Sequence, residues 1–223
     1  MTEPASPSHS FYPVSLDVAG LRCLVVGGGP VAARKARGLL ACGAYVTAIA
    51  PSLAAEMEEL TPLLQELHHR VYEPGDAASF RLVLTATGLE GVDAEVYADA
   101  EAHGVWVNSA DDRAHSSFIL PAVHRDGRVT VAVSTGGLSP ALAVWLRDRV
   151  SEECGDGIGL LAELLHEVRA RLLRAGLPSD TVGWAELLDG PLPSLVAAGE
   201  LDRARAILTA AASRASDNGG SSL

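Results

Sequence analysis

The feature that most constrains the fold is a run of three glycines, Gly27 to Gly29, between an apolar segment and a helical one. Residues 22–27 (RCLVVG) are short, apolar and rich in valine, which is typical of a strand buried on both faces. Beyond the glycines, apolar residues recur at helical spacing as far as Gly43, and glycine commonly follows a helix end. A second apolar run occupies residues 45–50. Strand, glycine turn, helix and strand in this order predict a βαβ unit.

The alternation of strand and helix patterns continues along the chain. It predicts a helix over residues 53–68, a short strand at 69–72, a strand at 82–87, a helix at 92–103 and a strand at 105–108. Strands that alternate with helices form parallel sheets covered on both faces. The predicted fold class is therefore α/β, with a Rossmann-type parallel sheet.

The pattern changes beyond the fourth clear strand, which predicts three parts. A Rossmann domain is expected at residues 1–111, and a small middle segment at 112–150 carries a β-branched strand and a helix opened by Ser-Pro. Residues 151–223 are expected to form a helical C-terminal domain, with one helix over 192–211.

Composition argues against several classes of function. A formal net charge of −11 disfavours nucleic-acid binding. No stretch of about 18 apolar residues is free of charge, so no membrane span is predicted. The N-terminus lacks the pattern of a signal peptide. The three cysteines and the histidines fit no metal-site spacing, so we expect no resident metal and a cytoplasmic location.

The glycine run matches the dinucleotide fingerprint at Gly27, Gly29 and Ala32. The first glycine permits the tight turn, the second lets the backbone approach the pyrophosphate, and the small third residue lets helix and strand pack closely. The helix N-terminus then presents N–H groups to the phosphates. A nicotinamide dinucleotide, NAD, is the predicted cofactor. Pro51 and Ser52 occupy the position where an acidic residue usually binds the ribose. The sequence therefore leaves open the choice between NAD and NADP.

Two runs of sequence resemble one known family. The first is LVVGGGPVAARKARGLLACGAYVTAIAP, and the second is VNSADDRAHSSFILPAVHRDGRVTVAVSTGGLSPALAVWLRDRV, with Asn-x-x-Asp, Ser-Phe-Ile-x-Pro, Gly-Gly and Ser-Pro in order. Both resemble precorrin-2 dehydrogenases, the dehydrogenase and ferrochelatase part of sirohaem synthases. The resemblance covers residues 11–150, whereas residues 151–223 match only as a helical domain of suitable length.

The resemblance implies an NAD-dependent oxidation of precorrin-2 to sirohydrochlorin in sirohaem biosynthesis. Some members also insert ferrous iron as a substrate, and the residues leave open whether this chain does. A homodimer is implied, with the middle segment at the contact and the tetrapyrrole nearby. The chain is too short to include the methyltransferase domain of a full sirohaem synthase, so methylation is expected from another protein.

The resemblance also assigns site residues. The family's essential aspartate corresponds to Asp111, which follows the fourth strand and can accept a proton; Asp112 is the alternative if the register is shifted by one residue. Arginines of the middle segment are expected to bind the substrate carboxylates, and a threonine stands where the family often has serine before Gly-Gly. The predicted cofactor-binding residues are Gly27, Gly29, Pro30, Val31, Ala32, Pro51, Ser52, Thr85 and Asn108, and the predicted substrate-binding residues are Thr135, Arg113 and Arg147.

A non-catalytic, NAD-sensing regulatory module is the alternative function. Such a module would keep the glycine loop but need neither a base nor a tetrapyrrole site. The Asn-x-x-Asp and Ser-Pro motifs argue against it.

Overall fold

The computed structural model describes residues 11–110, 112–177 and 182–219. The chain divides into two compact units, Met1–Leu120 and Pro121–Leu223. Within the described ranges no helix is both long and apolar enough to cross a membrane. Each unit has its own hydrophobic core.

The first unit is built on a six-stranded sheet. Its strands are β1 Arg22–Val26, β2 Tyr45–Ile49, β3 Glu66–His68, β4 Leu82–Thr85, β5 Trp106–Ser109 and β6 Asp112–Ser116. Their order in the sheet is β3-β2-β1-β4-β5-β6. The first five strands pair in parallel, and β6 runs antiparallel beside β5. The Rossmann-type fold class is confirmed, with an antiparallel strand added at one edge.

Helices cover both faces of this sheet. They are α1 Pro30–Leu40, α2 Ala55–Glu58 and α3 Glu90–Ala102. Successive residues of a strand point to opposite faces, and β1 obeys this alternation. Cys23 and Val25 belong to the core that includes the alanine-rich face of α1, whereas Leu24 and Val26 belong to the core that includes α3. Burial raises the pKa of the Cys23 thiol to about 11, as expected for a small core residue.

The prediction of one helix over residues 53–68 is wrong. Only Ala55–Glu58 is α-helical, and a 3-10 turn at Thr61–Leu63 leads directly into β3. Pro62 lies in that turn and has no N–H to continue a helical ladder. The predicted strand at 69–72 is therefore found three residues earlier, where Glu66–His68 pairs with β2.

The domain boundary predicted after residue 111 falls inside the first sheet. Strand β6 follows immediately and pairs with β5, and the first compact unit ends at Leu120. The polar sequence of β6 lacks the alternation that identifies a strand, because this edge strand is only partly buried. Serine side chains help to hold it: Ser117 Oγ accepts from the Val107 N–H at 2.8 Å.

The second unit combines a hairpin with helices. Its elements are β7 Ala122–Asp126, β8 Val129–Val133, α4 Pro140–Cys154, α5 Ile158–Arg174, α6 Trp184–Leu188, α7 Leu192–Ala197 and α8 Leu201–Gly219. Helix α4 packs on the hairpin, and α5, α7 and α8 enclose an aliphatic core. The single helix predicted over 192–211 is wrong, because Gly199 adopts a φ of +74° and separates α7 from α8.

Candidate functional site

The carboxyl ends of three strands meet around the glycine loop. The Gly27 N–H donates to the Ile49 carbonyl at 2.9 Å, and the Ala86 N–H donates to the Val26 carbonyl at 2.9 Å. The chain turns in opposite directions from β1 and β4, so this edge is the topological switch point of the sheet. Ligands of open α/β sheets bind in such a crevice.

The three glycines of the loop have different surroundings. Gly27 has a φ of +123°, and a Cβ on it would lie 2.4 Å from the Ala86 carbonyl oxygen. A Cβ on Gly28 would lie 2.0 Å from the Ser52 carbonyl oxygen. Both are therefore required by the fold itself. A Cβ on Gly29 would meet no atom within 4 Å, so that side of the loop is open to a ligand.

The start of α1 completes a cradle for a diphosphate. Gly29 is the N-cap, with extended backbone and no side-chain cap, and Pro30 is the first helical residue. The N–H groups of a first helical turn have no partner within the helix, and the helix dipole places positive potential there. Ala32 is fully buried, Val31 is half-buried and Pro30 is exposed. An unencumbered backbone at a helix N-terminus fits the pyrophosphate of NAD.

Pro51 and Ser52 lie beside this cradle, as their sequence position predicts. Both are exposed. The segment after them is tied to the loop, since the Ala54 N–H donates to the Gly28 carbonyl at 2.8 Å. Their contact with the cofactor remains a prediction.

Thr85 lies at the carboxyl end of β4 but uses its hydroxyl inside the protein. Its Oγ1 donates to Asp93 Oδ1, which also accepts from Thr87 Oγ1 at 2.9 Å. The Thr85 carbonyl accepts from the Ala110 N–H at 2.9 Å. The hydroxyl therefore connects β4 to α3, and a role for Thr85 in cofactor binding stays a prediction.

Asn108, at the end of β5, is held on both sides of its amide. Its Oδ1 accepts from the Lys35 ammonium at 2.5 Å, and its Nδ2 donates to the Phe118 carbonyl at 2.9 Å. Lys35 is a residue of this site that the sequence analysis does not predict. The available signal was its place in α1, directly before the buried Ala36, together with its being the only lysine of the chain.

Asp111 lies outside the described residues, and the structure describes the residue that follows it. Asp112 Oδ1 accepts from the backbone N–H groups of Ala114 and His115 at 2.9 and 3.2 Å, and Asp112 Oδ2 lies 2.5 Å from His115 Nδ1. The hydrogen bond with His115 holds the pKa of Asp112 below its ordinary value. Its carboxylate thus stabilises the turn that begins β6. The assignment of Asp111 as the reactive acid stays a prediction.

The predicted substrate-binding residues occur in different units. Arg113, in β6, is exposed and places its guanidinium 5.4 Å from the centre of the Phe11 ring. In the second unit, Thr135 Oγ1 exchanges hydrogen bonds of 3.0 and 3.1 Å with the backbone of Ser139, the N-cap of α4. Arg147 donates to Asp148 at 2.8 Å. Thr135 therefore shapes the turn before α4, and its contact with substrate stays a prediction, as do those of the two arginines.

The fold and the glycine loop define a protein of the dinucleotide-binding Rossmann class. A family model described as "Putative NAD(P)-binding" matches residues 14–122, and one described as "Sirohaem biosynthesis protein central" matches residues 126–153. The chain belongs to the precorrin-2 dehydrogenase and sirohydrochlorin ferrochelatase family, which includes the N-terminal part of sirohaem synthases.

Individual relatives agree with this membership. The sirohaem synthase of Methylococcus capsulatus is 39% identical over 209 residues, which cover 92% of this chain and 44% of the relative. That of Chromobacterium violaceum is 39% identical over 201 residues, 88% of this chain and 42% of the relative. The chain thus spans less than half the length of these curated relatives. A solved structure named "SirC, precorrin-2 dehydrogenase" superposes on this chain with a TM-score of 0.69 and is 26% identical in sequence. The superposition covers 90% of this chain and 98% of the SirC chain.

Proposed function

We propose that the protein oxidises precorrin-2 to sirohydrochlorin with NAD as the electron acceptor. The observation that carries this proposal is the open cradle at Gly29, at the switch point of the sheet and at the N-terminus of α1. The named activity of the SirC neighbour and the sirohaem synthase relatives support the choice of substrate.

The reaction removes one hydride and one proton from the macrocycle. NAD, when bound, takes the hydride with its electron pair. The proton needs a base at the same edge of the sheet, and Asp111 comes two residues after the end of β5 in sequence. The preceding residue is fixed there, since the Ala110 N–H donates to the Thr85 carbonyl at 2.9 Å. The carboxylate of Asp111 accepts this proton and later releases it to water.

The substrate carries several carboxylates, and the protein has a net charge of −11. Local cations must therefore offset the general repulsion. Arg113 presents an exposed guanidinium close to Asp111 in sequence and binds one such carboxylate. The Arg147 guanidinium forms an ion pair with Asp148. It binds a second substrate carboxylate in competition with that ion pair.

The test is NADH production from anaerobically prepared precorrin-2, followed by absorbance. The wild-type protein should reduce one NAD for each precorrin-2 consumed. Asp111→Ala should lose turnover by about 100-fold or more, because the proton has no acceptor, yet bind NADH as before. Asp112→Asn is the matched control, since its amide oxygen can still accept the bonds of the turn, and it should keep most of the turnover.

Two outcomes would contradict the proposal. Undiminished turnover in Asp111→Ala would remove Asp111 from the catalytic role. NADH binding by the wild-type protein without any oxidation of precorrin-2 would instead favour the non-catalytic NAD-sensing module.

Insertion of ferrous iron into sirohydrochlorin is a second step of the proposal, with iron as a substrate. Asp111 would accept the pyrrole protons displaced by the metal. Anaerobic incubation of sirohydrochlorin with ferrous iron and the protein, followed by absorbance spectra, tests this step. A rate equal to that of the protein-free control would remove chelation and leave the dehydrogenase intact.

The protein is further proposed to act as a cytoplasmic homodimer, with the contact in the segment 112–150. Apolar side chains exposed on one side of α4 and the turn before it support this assembly. Leu138 is 85% exposed, Leu142 46% and Trp145 57%. Exposed apolar residues at helical spacing are typical of a face that a partner covers.

A further inference from the structure

The loop of residues 86–89, which joins β4 to α3, packs against the first glycine of the dinucleotide cradle. A Cβ on Gly27 would lie 2.4 Å from the Ala86 carbonyl oxygen and 3.3 Å from the Thr87 nitrogen. The Ala86 N–H donates to the Val26 carbonyl at 2.9 Å. Because no side chain fits between Gly27 and this loop, the position of the loop determines the shape of the glycine turn.

A single buried carboxylate holds the β4–α3 loop. Asp93 lies in the first turn of α3 and is 8% exposed. Its Oδ1 accepts from Thr85 Oγ1, from Thr87 Oγ1 at 2.9 Å and from the Thr87 N–H at 3.3 Å. Among the described residues, Asp93 is the only acid buried to this degree. A buried carboxylate needs hydrogen bonds to replace its lost solvation, and these donors belong to the end of β4 and to the loop.

Thr87 extends this constraint to the start of α3. Its Oγ1 accepts from the Leu89 N–H at 3.1 Å, and Leu89 is the N-cap of α3 without a side-chain cap of its own. The Asp93 N–H donates to the Leu89 carbonyl at 3.0 Å. The loop is therefore held at Ala86, Thr87 and Leu89, and the polar groups of Thr87 and Asp93 connect its far end to the helix.

We infer that Asp93 is a positioning residue for the dinucleotide: through Thr87 it holds the β4–α3 loop against Gly27, so that this side of the cradle is formed before NAD binds. This role rests on the NAD binding of the proposed function but not on its substrate. A site that is already ordered needs no further ordering when the ligand arrives, which lowers the apparent dissociation constant. The acceptor oxygen supplies this order, since a negative charge by itself disfavours a nearby diphosphate.

The first experiment reads the loop without any ligand, by hydrogen exchange. Asp93→Ala should speed the exchange of residues 86–89, because the Thr87 N–H loses its acceptor. Asp99→Ala is the matched control, since this carboxylate of the same helix accepts from N–H groups within residues 75–77, in the connection before β4. It should speed exchange there and leave residues 86–89 unchanged. Equal exchange of residues 86–89 in wild type and Asp93→Ala would overturn the inference.

The second experiment measures NADH binding by fluorescence titration. Asp93→Ala should raise the NADH dissociation constant about tenfold or more, because the loop must be ordered at the expense of binding. Asp93→Asn keeps an acceptor oxygen and should stay within about threefold of wild type. Asp99→Ala should lose stability in urea but keep the NADH dissociation constant within about twofold.

Substitutions of Thr87 test the same connection without changing α3. Thr87→Val removes the hydroxyl that bonds to Asp93 and Leu89, and should raise the NADH dissociation constant about threefold or more. Thr87→Ser keeps the hydroxyl and should restore the affinity. This pair also provides the test if Asp93→Ala fails to fold. NADH binding equally tight in Thr87→Val and wild type would overturn the inference.

The outcomes distinguish the positioning role from the proposed function. Equal losses of NADH affinity in Asp93→Ala and Asp99→Ala would reflect general loss of order and overturn the inference, as would an Asp93→Asn protein as weak as Asp93→Ala. Unchanged affinity in Asp93→Ala, with wild type oxidising precorrin-2, would overturn the inference and leave the dehydrogenase standing. Weakened NADH binding in Asp93→Ala alone, with a wild type that does not oxidise precorrin-2, would support the positioning role and defeat the proposed reaction.

Discussion

Gly28 and Gly29 are adjacent, yet their surroundings in the structure differ. The space beside Gly28 is filled by the Ser52 carbonyl, 2.0 Å from where a Cβ would lie, whereas the space beside Gly29 holds no protein atom within 4 Å. Gly29 also has a φ of −82°, which any residue can adopt. Gly28 thus permits close packing against the Ser52 carbonyl, whereas Gly29 leaves room for a ligand.

Alanine substitutions should separate these two roles. Gly28→Ala should lower the free energy of unfolding by roughly 1–3 kcal/mol, because the loop must move away from the Ser52 carbonyl. Gly29→Ala should change it by less than about 1 kcal/mol but weaken NADH binding about tenfold or more, since the methyl group displaces the pyrophosphate from the N–H groups. Denaturant unfolding and NADH fluorescence titration measure both. Tight NADH binding in Gly29→Ala would contradict the assigned cradle.

At the residue scale, the cradle could be predicted and its surroundings could not. Gly27, Gly29 and Ala32 are near neighbours in sequence, so their spacing alone indicates the turn and the helix start. The bond between Lys35 and Asn108 depends on how strands β1 and β5 are ordered in the sheet, which no local pattern specifies. The sequence analysis also does not predict that the Asp93 carboxylate accepts a hydrogen bond from the Thr85 hydroxyl, eight residues earlier.

At the scale of elements, one carboxylate attaches the connection between β3 and β4 to α3. Asp99 Oδ2 accepts from the Tyr72 hydroxyl and from the Gly75 and Ala77 N–H groups. Burial alone would raise the pKa of Asp99, but these hydrogen bonds bring it below its ordinary value. Within the connection, the Arg70 guanidinium holds the pKa of Asp76 below its ordinary value.

This network predicts a loss of stability in acid. A carboxyl group whose pKa is lower in the folded than in the unfolded protein stabilises the fold at pH values above its unfolded pKa, near 3.9. This stabilisation is lost as the pH falls through the folded pKa. Asp99→Asn should lower the free energy of unfolding by about 1–3 kcal/mol at pH 7 and reduce its decline below about pH 4. Urea unfolding at several pH values measures this. Glu101→Gln, at an exposed position of α3, is the control; an acid decline equally steep in wild type and Asp99→Asn would contradict the account.

Elements with strong local patterns were predicted, and those that depend on tertiary partners were not. β1, β2 and β4 are apolar on both faces, so their sequences identify them. β6 is polar and half-exposed and is a strand only because β5 offers an edge for pairing. β3 is three residues long and follows leucines at helical spacing, which hides it in a false helix pattern.

At the scale of the whole molecule, the exposed apolar side of α4 predicts assembly. Trp145 is 57% exposed, so Trp145→Glu should leave the folded unit intact while placing a charge in the proposed interface. We expect wild type to sediment as a dimer and Trp145→Glu as a monomer. Trp106→Glu is the matched control, because Trp106 is 52% exposed at the start of β5 in the other unit. A wild-type monomer, or a Trp145→Glu protein of unchanged mass, would contradict the proposed dimer.

The most direct test of the account is a crystal structure of the protein with NAD bound. We expect the pyrophosphate to lie over Gly29, with phosphate oxygens about 2.7–3.2 Å from backbone N–H groups of the loop and of the first turn of α1. We also expect the nicotinamide ring to lie on the side of the sheet edge where β5 leads to Asp111. A dinucleotide bound at another surface, or a ring directed away from that loop, would contradict the account.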